Sequence, residues 1–169
     1  MQKIEIFTDG ACRGNPGPGG WAFAIFDGKK ILAENSGGFR ATTNNRMEIF
    51  AAIAALEFFE KNFAEIFAAA EIKIFTDSKF LKNGAEIWLP NWQKNGWRTA
   101  AKKPVKNPDL WKKLAEILTK KKIFWQHVPA HRGIPRNEKV DRAAAAAARR
   151  ENLPSEILPK NPQLQIFDF

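Results

Sequence analysis

Tyrosine is absent from this 169-residue chain, cysteine occurs once and histidine twice. A lone Cys12 excludes an internal disulfide framework and a Cys-rich zinc site, so the expected setting is a reducing compartment and the expected metal ligand is oxygen. No apolar run approaches the roughly 20 residues that a membrane span needs. Met1-Gln-Lys-Ile-Glu5 passes straight into strand-like alternation with no apolar signal segment. The expectation is a cytoplasmic monomer with no membrane partner. With 44% hydrophobic residues, the length suits one well-buried core and is too short for two.

Acidic residues are scarce in one segment. Between Trp88 and Lys122 ten Lys or Arg face only Asp109 and Glu116, so most of the net charge of +9 sits there. Trp88, Trp92, Trp97 and Trp111 are interleaved with those cations. Scattered lysines usually mean a solvated face. Cations set among aromatic rings instead offer phosphate neutralisation and stacking or sugar contact together, which is what a nucleic-acid strand needs. Some of these tryptophans must still pack inside the segment itself.

Period-two alternation predicts strands at 3–8, 21–26 and 31–39, joined by the turn-rich Gly14-Asn-Pro-Gly-Pro-Gly-Gly20 and by Asp27-Gly28. Asn44 or Asn45 is positioned to cap a helix running to about Asn62, with Ile49, Ile53 and Leu56 as its core stripe. A strand at 71–76, a helical basic segment, a strand at 123–128 and an Ala-rich helix at 137–150 complete the pattern. Strands that first run together and then alternate with helices predict an α/β fold with a mixed sheet.

Two strands end alike, in Phe7-Thr-Asp-Gly10 and Phe75-Thr-Asp-Ser78. If they are neighbours, Asp9 and Asp77 stand side by side and repel unless a cation lies between them. The plainer reading is that each Asp caps the turn that follows it. Glu48, in the first turn of the long helix, shares an apolar face with Ala52, Ala55 and Phe59, and no Lys or Arg one turn along supplies a partner. Asp141 opens the last helix, ten residues after His131. Alone, these two would read as a helix-dipole acid and a surface histidine. Four carboxylates without a thiol or a His pair point to hard divalent cations, Mg²⁺ or Mn²⁺.

Together the motifs resemble a type 1 ribonuclease H of the bacterial kind (ribonuclease HI). They are F-T-D-G at 7–10, G-N-P-G-P-G-G at 14–20, T-T-N-N-R-M-E at 42–48, F-T-D-S at 75–78, N-G-W-R-T at 95–99, K-K-P-V-K-N at 102–107 and the His131 to Asp141 run. The resemblance implies a five-stranded mixed sheet, three antiparallel strands then parallel additions, with helices on both faces and a basic helical protrusion at about 86–107. It implies a catalytic domain over 1–150, followed by a Pro-containing tail over 151–169. It also implies endonucleolytic hydrolysis of the RNA strand of RNA–DNA hybrids, leaving 5′-phosphate and 3′-hydroxyl ends.

By similarity, Asp9, Glu48, Asp77 and Asp141 bind two Mg²⁺ ions, with Mn²⁺ as a substitute. One ion, held by Asp9 and Asp141, would activate water; the other, held by Asp9, Glu48 and Asp77, would stabilise the leaving oxygen. His131 matches the family's mobile histidine, assisting proton transfer or phosphate departure. Cys12, Asn15, Asn44 and Asn45 match the RNA-strand contacts, which must read the 2′-hydroxyl. Phe80 and Trp92 match the DNA-strand contacts, with Thr43 and Asn107 near a phosphate. Trp88, Lys94, Trp97, Arg98, Lys102 and Lys103 are the binding residues expected of the protrusion. With no hybrid-binding domain ahead of Lys3, affinity is expected to come from there.

The chain departs from the family pattern at Lys79, where Gln is usual, and at Val128-Pro129-Ala130, where Val-Lys-Gly is common. Phe7 and Phe75 stand where Tyr is frequent. Two other classes fit parts of the pattern. A related-fold DNA nuclease is opposed by the Trp-rich basic segment and by Asn44-Asn45; a non-cleaving hybrid-binding module is opposed by the four carboxylates. Pro154, Pro159 and Pro162 predict an extended tail. Its end, Gln163-Leu-Gln-Ile-Phe-Asp-Phe169, resembles sliding-clamp docking peptides, with Ile166 in place of a second Leu. Either Gln163, Leu164, Ile166 and Phe167 dock on such a clamp, or the apolar residues fold back onto the chain's own core.

Overall fold

The computed structural model describes residues 1–156. Five strands form one sheet in the order β3-β2-β1-β4-β5. Strands β1 (Lys3–Cys12), β2 (Gly17–Asp27) and β3 (Lys30–Thr42) form an antiparallel meander. Strands β4 (Glu71–Thr76) and β5 (Ile123–His127) add in parallel, β4 beside β1 and β5 beside β4.

Helices cover both faces. Ile4, Ile6, Phe23, Ile25, Ile72 and Ile74 face helix α1 (Asn44–Asn62), whose Ile49, Ile53, Leu56 and Phe59 are fully buried against them. Phe7, Ala22, Ala24 and Phe26 form a second, smaller core with Val140 and Ala144 of the last helix. Because side chains alternate along β1, Ile4 and Ile6 belong to the first core and Phe7 to the second. Full burial of one such Ile or Phe removes about 1.5–3 kcal/mol worth of apolar surface from water.

Several boundaries differ from the sequence expectation. Thr43, not Asn44 or Asn45, caps α1: its backbone is extended and its hydroxyl accepts from Arg46 N at 3.3 Å. A hydroxyl that reaches the third helical amide satisfies an otherwise orphaned donor. The stretch between α1 and β4, for which no element was expected, forms a short helix α2 (Ala64–Ala69) in which Phe67 buries against Phe59, ring centroids 5.8 Å apart. The glycines at 17–20 lie inside β2 rather than in a turn. A Cβ on Gly20 would sit 2.1 Å from the Ala144 carbonyl, so its bareness lets the last helix rest on the sheet.

The basic segment is helical only in its first half. Helix α3 (Lys79–Asn83), one π-helical turn (Gly84–Trp88) and α4 (Leu89–Lys94) run in succession. After Lys94 the backbone turns irregular, with positive φ at Gly96, Trp97, Lys102 and Asn107, until α5 (Pro108–Lys120). Trp111 of α5 is core, 1% exposed.

The final helix, α6, spans Pro135–Ala147 rather than 137–150. Proline is tolerated at the first helical position because the amide it lacks has no partner there. Beyond α6 the chain runs along the domain edge. Arg150 donates to Ser36 O and Oγ at 3.1 and 2.7 Å, Arg40 N donates to Pro154 O at 2.9 Å, and Glu156 pairs with Arg46 at 2.6 Å. Arg46 also grips Asp109 at the start of α5. Burial alone would raise the Asp109 pKa, but the Arg46 bond and charge outweigh it and hold it below the usual value.

Candidate active site

Phe7 and Phe75 are register partners across β1 and β4 and stack with ring centroids 4.6 Å apart. Two residues further along each chain come Asp9 and Asp77, on the same face. Asp9 lies inside β1, which continues to Cys12; Asp77 is the first residue past β4.

Glu48 reaches this pair from α1 through a close backbone approach. A Cβ on Gly10 would lie 2.4 Å from Glu48 N and 2.5 Å from the Met47 carbonyl carbon. The bare glycine therefore seats the start of α1 directly on β1. With Thr43 as the cap, Glu48 stands just beyond the first helical turn rather than within it.

One carboxylate oxygen from each of Asp9, Glu48 and Asp77 lies within 4.8 Å of the others. Asp9 and Glu48 are both 4% exposed. Among the described residues no Lys or Arg forms an ion pair with any of the three. Gly10 N donates to Asp9 Oδ1 at 2.9 Å, but Glu48 Oε2 has no hydrogen-bond partner. Burial, followed by the charges of Asp77 and Asp141, raises the Asp9 pKa to about 8. Burial, followed by Asp9 and Asp77, pushes Glu48 well above the usual carboxylate range. Without a cation, the Asp9–Glu48 pair therefore retains a proton at neutral pH.

Asp141, on α6, contributes charge to Asp9 but stands outside the three-oxygen cluster. His131 Nδ1 lies 3.6 Å from Asp141 Oδ2, and the His131 side chain is 78% exposed on a backbone of φ 52°. The four expected carboxylates thus form a tight trio with a neighbour.

The expected substrate residues fall into two groups. Near the start of α1, Cys12 Sγ donates to Gly17 O and Thr42 O at 3.4 and 3.5 Å, with its thiol pKa pushed up by burial. Asn15 Oδ1 accepts from Asn44 N at 3.1 Å, tying the β1–β2 turn to α1. The Thr43 hydroxyl serves as the helix cap, and Asn107 Oδ1 accepts from Arg46. The second group surrounds an apolar cavity of about 300 Å³ lined by Asn45, Phe80, Trp88, Trp92, Val105 and Trp111. Its rings pack as a chain: Phe80 on Trp88 at 5.6 Å, Trp88 on Trp92 at 5.8 Å and Trp92 on Trp97 at 6.4 Å. Lys94, Arg98, Lys102 and Lys103 are exposed beside them. Gln163, Leu164, Ile166 and Phe167 lie outside the described residues.

Three residues that touch the site escaped the sequence reading. Gly10 is one. Asn137 is buried and its Nδ2 reaches Asp77 Oδ2 at 3.4 Å; its place one helical turn before Asp141 was the available signal. His127 closes β5, with Nε2 3.1 Å from the Asp77 carbonyl oxygen. Only the register of β4 against β5 reveals that contact.

A family model described as RNase H matches residues 1–149. Curated relatives include the Ribonuclease H of Klebsiella pneumoniae, 47% identical over 148 residues covering 88% of this chain and 90% of that protein. The Ribonuclease H of Nitratidesulfovibrio vulgaris is 47% identical over 154 residues, 90% of this chain and 94% of that protein. Among solved structures, LC11-RNase H1 in complex with RNA/DNA hybrid superposes with a TM-score of 0.62 at 30% identity, covering 86% of this chain and 96% of that one. By sequence model, relatives and fold alike, the chain belongs to the RNase H family and is a nuclease of the hydrolase class.

Proposed function

We propose that the chain cuts the RNA strand of RNA–DNA hybrids endonucleolytically, leaving 5′-phosphate and 3′-hydroxyl ends, with two divalent cations held by Asp9, Glu48, Asp77 and Asp141. The observation that carries this reading is the trio of carboxylate oxygens within 4.8 Å, two of its members buried. Such a cluster is costly unless a cation offsets the repulsion. An all-oxygen donor set suits Mg²⁺, or Mn²⁺ in its place, and the orphaned Glu48 Oε2 is a ready ligand atom. Once bound, such ions supply Lewis-acid polarisation of the phosphodiester and a nucleophilic water at neutral pH.

The chain's own residues bind, orient and move protons. Asp9, which interacts with Glu48, Asp77 and Asp141 alike, would be shared between the Glu48–Asp77 side and the Asp141 side. His131 exchanges a proton from its exposed ring while Nδ1 faces Asp141. Cys12, Asn15, Asn44 and Asn45 line the path of the RNA strand, where the 2′-hydroxyl is read. Phe80, Trp88, Trp92 and Trp97 give the DNA strand an apolar track, Thr43 and Asn107 meet a phosphate, and Lys94, Arg98, Lys102 and Lys103 neutralise others. The RNA/DNA hybrid bound by LC11-RNase H1 supports this choice of substrate. The expected setting is a monomer in the cytoplasm, with Gln163, Leu164, Ile166 and Phe167 as a docking peptide for a sliding clamp during replication.

The test is incubation with labelled hybrid, duplex DNA and duplex RNA, each with Mg²⁺ and with chelator. Cleavage of the RNA strand of the hybrid alone, dependent on Mg²⁺, is expected. Cutting of duplex DNA would point to a related-fold DNA nuclease, and binding without cutting to a hybrid-holding module.

A further inference from the structure

Asp77 is the most weakly fixed member of the carboxylate trio. Asp9 is locked inside a central strand and Glu48 inside a helix, whereas Asp77 follows the last ladder residue of β4 and is only half-buried. It also faces the charge of two neighbouring acids. A carboxylate in that position swings away from the others unless its backbone is held.

Two strand-end contacts from β5 supply the restraint. Val128 N donates to Thr76 O at 3.0 Å, the ladder bond of the Thr76–His127 register pair at the end of β4. Beyond that pair the His127 side chain reaches the next main-chain carbonyl of the other segment, with Nε2 3.1 Å from Asp77 O. A carbonyl oxygen only accepts, so Nε2 carries the hydrogen. The neutral Nε2–H tautomer and the imidazolium both donate there, so the contact does not depend on the charge of the ring. From the other side, Asn137 reaches the Asp77 carboxylate at 3.4 Å. Asp77 is thus held by its main chain from β5 and by its side chain from α6.

We propose that His127 is a positioning residue: by donating from Nε2 to the Asp77 carbonyl, it keeps the Asp77 carboxylate within reach of Asp9 and Glu48 so that the three can share a cation. This rests on the cation-binding reading above. Partners that orient metal ligands typically change metal affinity by 10–100-fold when lost.

The test pairs H127F, which keeps a ring but no donor, with H127Q, whose amide nitrogen retains one. Mg²⁺ and Mn²⁺ binding is measured by calorimetry on the full chain without substrate, and thermal melting is measured in chelator. H127F is expected to bind cations at least about 10-fold more weakly, and H127Q to recover most of that loss. The metal-free melting temperatures of the two variants should agree. Wild-type affinity in H127F, or equal weakening in both variants alongside equal loss of stability, would overturn the proposal. Nitrogen NMR of the wild-type ring gives a readout that needs no variant, since hydrogen on Nδ1 alone would also overturn it. If the wild-type chain binds no divalent cation, the cation reading fails and takes His127's role with it. Normal wild-type binding with an unaffected H127F removes His127's role alone.

Discussion

Replacing Asp9 by Asn should make the metal-free protein more stable at pH 8 than the wild type, while abolishing cleavage. The Asp9 pKa rises from 3.8 to about 8 on folding, because burial and the Asp77 and Asp141 charges penalise its ionised form. The native state therefore binds more protons than the unfolded chain between those two values, and wild-type stability falls as pH rises across that window. At 1.36 kcal/mol per pH unit for one proton, the gap caps the loss at about 6 kcal/mol. The substituted amide carries no charge, still accepts from Gly10 N through its carbonyl and removes one source of repulsion on Glu48. Urea unfolding in chelator, at steps from pH 4 to pH 8, gives the difference in stability between variant and wild type. That difference should be near zero at pH 4 and grow to about 2–5 kcal/mol by pH 8, with a slope no steeper than one proton allows. Excess Mg²⁺ should stabilise the wild type far more than the variant. A flat difference across the window, or a variant less stable at pH 8, would refute the argument that repulsion among buried acids burdens the fold.

Gly10→Ala should cost about 1–3 kcal/mol in urea unfolding, as overpacking does, and weaken Mg²⁺ binding, because the new Cβ would push the start of α1 off β1. Arg46→Ala should cost about 3–5 kcal/mol by leaving Asp109 and Glu156 without their cation; denaturant titration checks it. Replacing Lys94, Arg98, Lys102 and Lys103 together by Ala should raise KM for the hybrid, leave kcat less affected and flatten the dependence of binding on salt, because fewer counterions are released. Steady-state kinetics over a salt series reads both effects.

The acids were legible because their signal is periodic and repeated. Two Thr-Asp strand ends imply neighbouring carboxylates once the strands are parallel, and Glu48 stood out as an unpartnered charge on a face with Ala52, Ala55 and Phe59. What escaped depended on contacts between distant elements. Asn44 and Asn45 read as caps, but the Thr43 hydroxyl was also in reach, and composition does not choose between adjacent capping residues. Helix α2 rests on one buried ring, Phe67 on Phe59, too brief a pattern to show periodicity. Residues 95–107 belong to the basic protrusion expected to be helical at about 86–107, yet positive φ at Gly96, Trp97 and Lys102 breaks the helix. Gly10 looked like a turn glycine after Asp, and only the approach of α1 gives it another purpose.

The placement of Asp9 in β1 has a thermodynamic consequence. That strand is hydrogen-bonded to β2 on one side and β4 on the other, and helices cover both its faces. Segments framed in this way open only when the whole domain opens, unlike frayed edges and loops. The electrostatic load on Asp9 therefore has no outlet through local opening of β1. A bound proton or a cation relieves it without unfolding, so occupancy of the cluster feeds into the stability of the entire domain.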